Sequence, residues 1–348
     1  MFADLKVAGV IGAGSFGFTL VKILSRNIEV ILYSRNEDVI KSVNQGLAPN
    51  GMKLRPNVRA TSDIAEITSK CELLFAVVPS SSFRQMIKAF SPYLKPSHII
   101  IQATKGLDVS KINEGDWKKH TFTRDDVCTM TEVIRQESNV IRVGCMSGPN
   151  LAREILAGQP AATVIASEFD EVIKLGQEVL SSKKFFVFGS HDLKAAEIAG
   201  AFKNIIAVAS GILGGLGMGK NMQSLLITRG LREMIYFGTA LGTTSAAFLG
   251  VAGIGDLIAT ATSEDSRNYT FGKRFASGED YNHIISTSPE AVEGIRTLMI
   301  ANQLARNEKL NLPIVQVLHK VVFEGFDMQR GLELLMNDTY AVDVDYLM

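Results

Sequence analysis

The chain has few cysteines, no excess of charge and no long uninterrupted hydrophobic run, and each shortage removes a class of protein. Three cysteines occur in 348 residues, Cys71, Cys128 and Cys145. They lie far apart, form no CxxC pair and are odd in number, which excludes a disulfide framework and points to buried thiols in a reducing compartment. Thirty-six basic residues balance thirty-six acidic ones. A neutral chain exerts no general pull on nucleic acid or an anionic membrane, so an anionic ligand must be caught by a local cluster. The apolar runs are too short or too broken by glycine to suggest a bilayer span. The opening Met1-Phe2-Ala3-Asp4-Leu5-Lys6 lacks a basic segment followed by an apolar one, so no signal peptide is expected and the cytoplasm is the default. The five histidines, His98, His120, His191, His283 and His319, show no metal-ligand spacing. No internal repeat or low-complexity tract is present.

What is present is an ordinary globular mixture, 46% hydrophobic and 21% charged, in a chain long enough for two cores. Residues 5–11 form a short apolar run, a glycine-rich turn follows, residues 16–26 carry apolar positions at helical spacing, and residues 29–33 are again β-type. This is the length of a βαβ unit. Further β-type runs at 72–78, 98–102, 140–145, 161–166 and 184–188 alternate with helical stretches, which predicts a mostly parallel sheet covered on both faces. From Asp192, a plausible helix N-cap, the pattern turns helical, at 192–213, 222–240, 290–306, 313–323 and 327–336. The expected fold is α/β: an N-terminal Rossmann-type domain over 1–190 and an all-helical C-terminal domain over 191–348. Residues 113–127 are polar and poorly periodic, and read as a surface excursion of the first domain.

Gly12-Ala13-Gly14-Ser15-Phe16-Gly17 fits GxGxxG between a strand and a helix, the context that gives the motif meaning. Gly12 would allow the tight turn, Gly14 the approach of backbone to a pyrophosphate, and Gly17 close packing of the helix. The helix N-terminus would then offer N–H groups and a positive dipole end to phosphates. A structural glycine turn is the plainer alternative. The second strand ends in Tyr33-Ser34-Arg35, without the carboxylate that holds the ribose 2′-hydroxyl in NAD-specific sites. Arg35 could pair with a 2′-phosphate, which favours NADPH while leaving NADH open. Alternatively, Arg35 is a solvated arginine lying against the adenine.

Three segments of the second domain carry more polar chemistry than packing requires. Small residues in Glu197-Ile198-Ala199-Gly200-Ala201-Phe202 precede Lys203-Asn204. A lysine in such a niche beside a carbonyl can act as general acid, although a surface lysine on a helix face fits the same spacing. Gly250-Val251-Ala252-Gly253-Ile254-Gly255-Asp256 reads as a tight turn delivering Asp256 to a crevice, or as an ordinary helix cap. Ser266-Arg267-Asn268 sets hydroxyl, guanidinium and amide side by side, able to ring a phosphate; a solvated loop is the alternative. In the first domain, Thr104-Lys105-Gly106 and Ser147-Gly148-Pro149-Asn150 follow strands at the edge where Rossmann sheets bind ligands. Lys105 could then face Lys203 across a cleft.

With these blocks in hand, the chain resembles the bacterial NAD(P)-dependent glycerol-3-phosphate dehydrogenases. The likeness rests on Gly-Ala-Phe-Lys-Asn at 200–204, Ile-Thr-Arg-Gly-Leu-Arg-Glu-Met at 227–234, Gly-Val-Ala-Gly-Ile-Gly-Asp-Leu at 250–257 and Ser-Arg-Asn-Tyr-Thr-Phe-Gly at 266–272, with Val292-Glu293-Gly294 and Leu312-Pro313-Ile314. It runs from the Gly12 loop to about residue 330. The resemblance implies reversible conversion of dihydroxyacetone phosphate to sn-glycerol 3-phosphate, for phospholipid synthesis and lipid metabolism. It implies Lys203 as catalytic acid and base, with Lys105, Gly148, Asp256, Ser266, Arg267 and Asn268 on the substrate. Cofactor contacts would come from Gly12, Gly14, Ser15, Phe16, Gly17, Arg35, Lys105, Ala152, Arg267, Ala291 and Glu293. No metal is implied, and a homodimer is. Two lysines near one substrate would repel, lowering the pKa of one. The chain departs from the family at Asn150, where serine is usual; its amide can still hydrogen-bond a phosphate. It departs also in a long 113–127 stretch, and residues 341–348 carry no familiar motif. The rivals are a related two-domain reductase of another hydroxy or keto acid, and a non-catalytic nucleotide sensor. Ser266-Arg267-Asn268 weighs against the first, because a carboxylate needs fewer donors than a phosphate. Lys105, Lys203 and Asp256 together weigh against the second.

Overall fold

Short runs of branched and aromatic residues become the strands of one sheet because both of its faces are buried. The computed structural model describes residues 5–109 and 122–336. Among these, β1 (Val7–Ile11), β2 (Glu29–Tyr33), β3 (Val58–Thr61), β4 (Leu73–Ala76), β5 (Ile99–Gln102), β8 (Arg142–Ser147), β9 (Ala161–Ala166) and β10 (Phe185–Ser190) form an eight-stranded sheet in the order β10-β9-β8-β5-β4-β1-β2-β3. All neighbours are parallel except β8 and β9. Two short strands, β6 (Asp108–Val109) and β7 (Val127–Cys128), pair separately. The chain moves outward from β1 through β2 to β3, then returns to place β4 on the other side of β1. That reversal opens a crevice at the carboxyl ends of β1 and β4.

The period of two along the strands separates the two faces. Ala8, Val10, Leu32, Phe75 and Ile101 pack with Phe18, Val21 and Leu24 of α1 (Ser15–Leu24) and with Val172, Leu175 and Val179 of α7 (Asp170–Leu180). Ile11, Ile31, Leu74 and Ile100 point the other way and are also buried. Each such side chain contributes roughly 1.5–3 kcal/mol on burial, an upper estimate because unfolded chains already hide some surface. The other helices covering the sheet are α2 (Glu37–Asn44), α3 (Ile64–Lys70), α4 (Ser80–Phe90), α5 (Met130–Glu137) and α6 (Ala152–Leu156).

The rest is helical. It begins with α8 (Leu193–Gly215), whose entry is capped as the sequence predicted: the Asp192 carboxylate accepts from the Ala195 N–H at 3.2 Å. Then come α9 (Lys220–Ala240), α10 (Asp256–Thr262), α11 (Arg267–Ala276), α12 (Tyr281–Thr287), α13 (Glu293–Glu308), α14 (Pro313–Phe323) and α15 (Met328–Met336). By length and composition α8 can cross a membrane, contrary to the expectation that no segment could; 89% of its most apolar window is buried inside the protein, the property of a core helix.

The chain forms two compact units, one ending at Asp108 and resuming over Thr129–Glu197, the other comprising Val109–Cys128 and everything from Ile198. Of the 113–127 excursion, read from sequence as part of the first domain, the described residues 122–127 fall in the helical unit. Most of it, like the 341–348 tail, lies outside the described residues. Its described end is tied there, with Phe122 fully buried, its carbonyl accepting from Asn307 Nδ2 at 2.8 Å, and Arg124 paired with Glu308 at 2.9 Å. The three cysteines are buried and unbridged.

Candidate active site

The parallel strands of the first unit deliver their carboxyl ends to one edge, and the polar residues following them collect there. After β1 the chain turns at Gly12, whose φ is +120°. A side chain there would also lie 2.2 Å from the Val77 carbonyl oxygen past β4, so only glycine fits both the conformation and the gap. At Gly17 an added Cβ would stand 2.0 Å from the Gly12 carbonyl oxygen, so this residue packs on the turn itself. Gly14 is the N-cap of α1; no side chain caps that end, and its first turn has no acidic residue. Ser15 and Phe16 open the helix. The backbone donors and dipole of α1 thus meet no competing carboxylate from its own first turn, the arrangement an anion requires. A pyrophosphate fits this cradle.

Past β2, Ser34 is buried while Arg35 is exposed and makes no ion pair among the described residues. Asn36 then caps α2, accepting from Asp38 N at 2.9 Å. No carboxylate stands at the end of β2, as the sequence had indicated.

Past β5 and β8, the structure brings together two of the residues singled out from sequence: Lys105 Nζ donates to the Gly148 carbonyl oxygen at 2.7 Å. Asn150 is next to them. Its Nδ2 donates to Thr163 Oγ1 at 2.9 Å, and that hydroxyl donates to the Ser147 carbonyl at 3.2 Å. Because the Thr163 proton is committed, the Asn150 amide is oriented with its nitrogen toward Thr163. Among the described residues its Oδ1 is left buried without a partner, as is Ser147 Oγ. Two orphaned polar atoms on the same loop as the Gly148 carbonyl that receives the Lys105 ammonium mark a place for a polar ligand. Ala152 is the first residue of α6.

In the helical unit, Lys203 on α8 is 4% exposed and Asp256 1%, which removes the surface-lysine reading. Lys203 Nζ donates to Asp256 Oδ1 at 2.5 Å and to Thr260 Oγ1 at 2.5 Å. Thr260 Oγ1 in turn donates to Asp256 Oδ1 at 3.2 Å. Burial of such a pair is tolerable only when its geometry and remaining hydrogen bonds are good. The turn supplying Asp256 is a π-helical one, Val251–Gly255, leading straight into α10. The close approach occurs at Gly253, where a Cβ would lie 2.0 Å from the Phe248 carbonyl oxygen. Asp256 is therefore not a helix cap, since Gly255 holds that position.

Ser266, Arg267 and Asn268 are not a loop but the start of α11. Ser266 is its N-cap, accepting from Tyr269 N at 3.3 Å. Arg267 is half-exposed and paired with Glu290. Asn268 is buried; its Nδ2 donates to Asn204 Oδ1 at 2.9 Å and its Oδ1 accepts from Gly294 N at 2.9 Å. This ties α11 to α8 next to Lys203 and to the first turn of α13, where Glu293 is half-buried and Ala291 exposed just before it. Sequence reasoning gave no role to Thr260, Asn204, Thr163 or Glu197. Thr260 could have been found, since a residue four after Asp256 shares its helix face.

No group of histidine, cysteine, aspartate and glutamate able to hold a metal occurs among the described residues. His191, exposed, pairs with Asp170 at 3.2 Å. A Rossmann unit with an uncapped glycine-rich helix start, and a helical unit with a buried lysine–carboxylate pair, define a nucleotide-dependent oxidoreductase. The family model described as NAD-dependent glycerol-3-phosphate dehydrogenase N-terminus matches residues 6–173, and that described as the C-terminus matches 192–333. The chain belongs to that family. It is 36% identical to the glycerol-3-phosphate dehydrogenase [NAD(P)+] of Teredinibacter turnerae, over 99% of this chain and 98% of the relative. It is 35% identical to the one from Saccharophagus degradans, over 97% and 91%. A crystal structure of glycerol-3-phosphate dehydrogenase from Coxiella burnetii aligns with a TM-score of 0.85 at 28% identity, covering 95% of this chain and 99% of that one.

Proposed function

We propose that this protein is a glycerol-3-phosphate dehydrogenase, interconverting dihydroxyacetone phosphate and sn-glycerol 3-phosphate with NADPH or NADH, and so supplying glycerol phosphate for phospholipid synthesis. The observation that carries the reading is the buried Lys203–Asp256–Thr260 triad, in a chain whose other unit has the nucleotide cradle. When bound, the reduced nicotinamide supplies the hydride that reduces C2 of the substrate. Gly12, Gly14, Ser15, Phe16 and Gly17 would hold its pyrophosphate, with Arg35, Lys105, Ala152, Arg267, Ala291 and Glu293 as further contacts.

Lys203 serves as proton donor to the C2 oxygen in reduction and as acceptor in oxidation. Asp256 and Thr260 orient its ammonium, which matters because a proton transfer tolerates only a small error in donor position. Lys105, the Gly148 backbone and Asn150 take the substrate's polar groups; the orphaned Asn150 Oδ1 suits a hydroxyl donor better than a carboxylate. Ser266, Arg267 and Asn268, at the N-terminus of α11, suit the phosphate. Arg35, with no carboxylate at the end of β2, supports a preference for NADPH. The family likeness supports a homodimer working in the cytoplasm.

The test is the absorbance of reduced cofactor with purified protein and dihydroxyacetone phosphate, with NADPH and NADH in parallel and Lys203→Ala as control. Substrate-dependent oxidation that collapses in the variant is expected, with the faster rate for NADPH. A folded protein that binds cofactor but turns over no dihydroxyacetone phosphate would sink the substrate assignment.

A further inference from the structure

One buried titratable group takes no part in the chemistry above. Glu197 lies near the start of α8 and is 4% exposed. Its Oε1 accepts from Gln102 Nε2 at 2.8 Å and from the Thr131 N–H, in the first turn of α5, at 2.9 Å; its Oε2 accepts from the Thr131 hydroxyl. Gln102 is the last residue of β5. Its own Oε1 accepts from the Thr104 N–H at 2.6 Å, and the Thr104 hydroxyl donates to the Val78 carbonyl at 2.7 Å. The next residue is Lys105, which reaches the Gly148 carbonyl.

A primary amide can face either way, and at the end of a strand nothing in its shape decides which. Glu197 Oε1 already accepts the Thr131 N–H, so it meets Gln102 as an acceptor whether or not Oε2 carries a proton. With Glu197 on one side, Gln102 must present its nitrogen there and its oxygen to Thr104. A buried carboxylate is costly, so its placement here calls for a function. We propose that Glu197 is a positioning residue for substrate binding: by fixing the orientation of Gln102 it holds the Thr104 turn, and through that turn the Lys105 ammonium. This rests on the proposed role of Lys105 in holding the substrate.

The test compares Glu197→Ala, Glu197→Gln, Gln102→Ala and the double alanine variant of the full-length protein. Orphaning the Thr104 N–H is expected to raise KM for dihydroxyacetone phosphate about tenfold in Gln102→Ala, with kcat changed less than about threefold. Glu197→Ala should match it and the double variant should be no worse, because both break one relay. Glu197→Gln keeps an acceptor toward Gln102 and Thr131 and should recover most of the loss. Hydrogen exchange of the Ala103–Leu107 segment is measured on the same proteins. It should quicken in both alanine variants and return toward wild type in Glu197→Gln. Unchanged exchange in Glu197→Ala would overturn the proposal. So would a Glu197→Gln variant as impaired as Glu197→Ala, with kcat, KM and Tm all worsening together, since that is what a purely structural carboxylate would show. If the wild type fails to reduce dihydroxyacetone phosphate, the functional reading falls, and the exchange measurement alone decides the relay.

Discussion

At the residue scale, the Lys203–Asp256 pair links activity to stability in a way that can be taken apart. Replacing Lys203 by methionine removes the proton donor, and kcat is expected to fall about 10²–10⁴-fold. It also strands Asp256, 1% exposed, as a buried carboxylate without its cation, which costs about 3–5 kcal/mol. Adding Asp256→Asn to Lys203→Met should restore much of the lost Tm without restoring turnover. Recovery of both would show that the lysine's contribution is structural. Glu197 gives a second prediction. Burial pushes its carboxyl up to about 7, against the hydrogen bonds from Thr131 and Thr129 that favour the anion, and the nearby Glu132 charge adds to the rise. Its folded pKa lies above its ordinary value of 4.5, so the native state keeps a proton that the unfolded chain has lost. Its contribution to stability is then full below pH 4.5 and is lost as the pH rises to about 7, a difference of about 3 kcal/mol. Urea titrations of Glu197→Gln should show a stability that declines less over that window than the wild type's. Parallel curves would mean that Glu197 titrates normally. Of these two groups, Lys203 stood out in the sequence because small residues surround it. Glu197 did not, because Gln102 and Thr131 come to it only through the order of strands and helices.

At the scale of elements, the turn that presents Asp256 is the point of least tolerance. Gly253→Ala would drive a Cβ to 2.0 Å from the Phe248 carbonyl oxygen, with Phe248 itself fully buried. The π-helical turn must open to admit it, displacing Asp256 from Lys203. The expected result is a fall in Tm of several degrees and a larger fractional loss of kcat. Gly219→Ala is the control: Gly219 caps α9 in extended conformation with nothing within 4 Å of its Cβ position, and a glycine cap changed to alanine there should cost well under about 1 kcal/mol. Equal losses in the two variants would contradict the steric account. The strands around the site were largely legible, because 29–33, 98–102 and 161–166 are short runs dominated by Val, Ile, Leu and Ala. The strand β3 was not: it is four residues with an arginine, Arg59, inside it, and it pairs on one side only, as the edge of the sheet. The helix α11 was also missed, since its first residues, Arg267 and Asn268, are polar and read as loop, whereas Asn268 is buried by its bonds to Asn204 and Gly294.

At the scale of the whole molecule, the nucleotide cradle and the buried lysine belong to different compact units, each folded around its own apolar core. Ligand binding stabilises only the native state, by about 2.7 kcal/mol at a hundredfold excess over Kd. If the cofactor is held mainly by the Gly12–Gly17 turn, that gain must survive damage at Lys203 and vanish with damage at the turn. Gly14→Val tests the second half, because its side chain would stand at the uncapped start of α1, where backbone must approach the phosphates. Thermal melts with saturating NADPH are therefore expected to raise Tm in wild type and in Lys203→Met alike, and to leave Gly14→Val unmoved. A Lys203→Met protein that gains nothing from NADPH would show that the lysine contributes to cofactor binding as well as to proton transfer, and the division of labour between the units would have to be redrawn. A Gly14→Val protein that still gains would place the phosphates somewhere other than the one motif that was readable from the first seventeen residues of the chain.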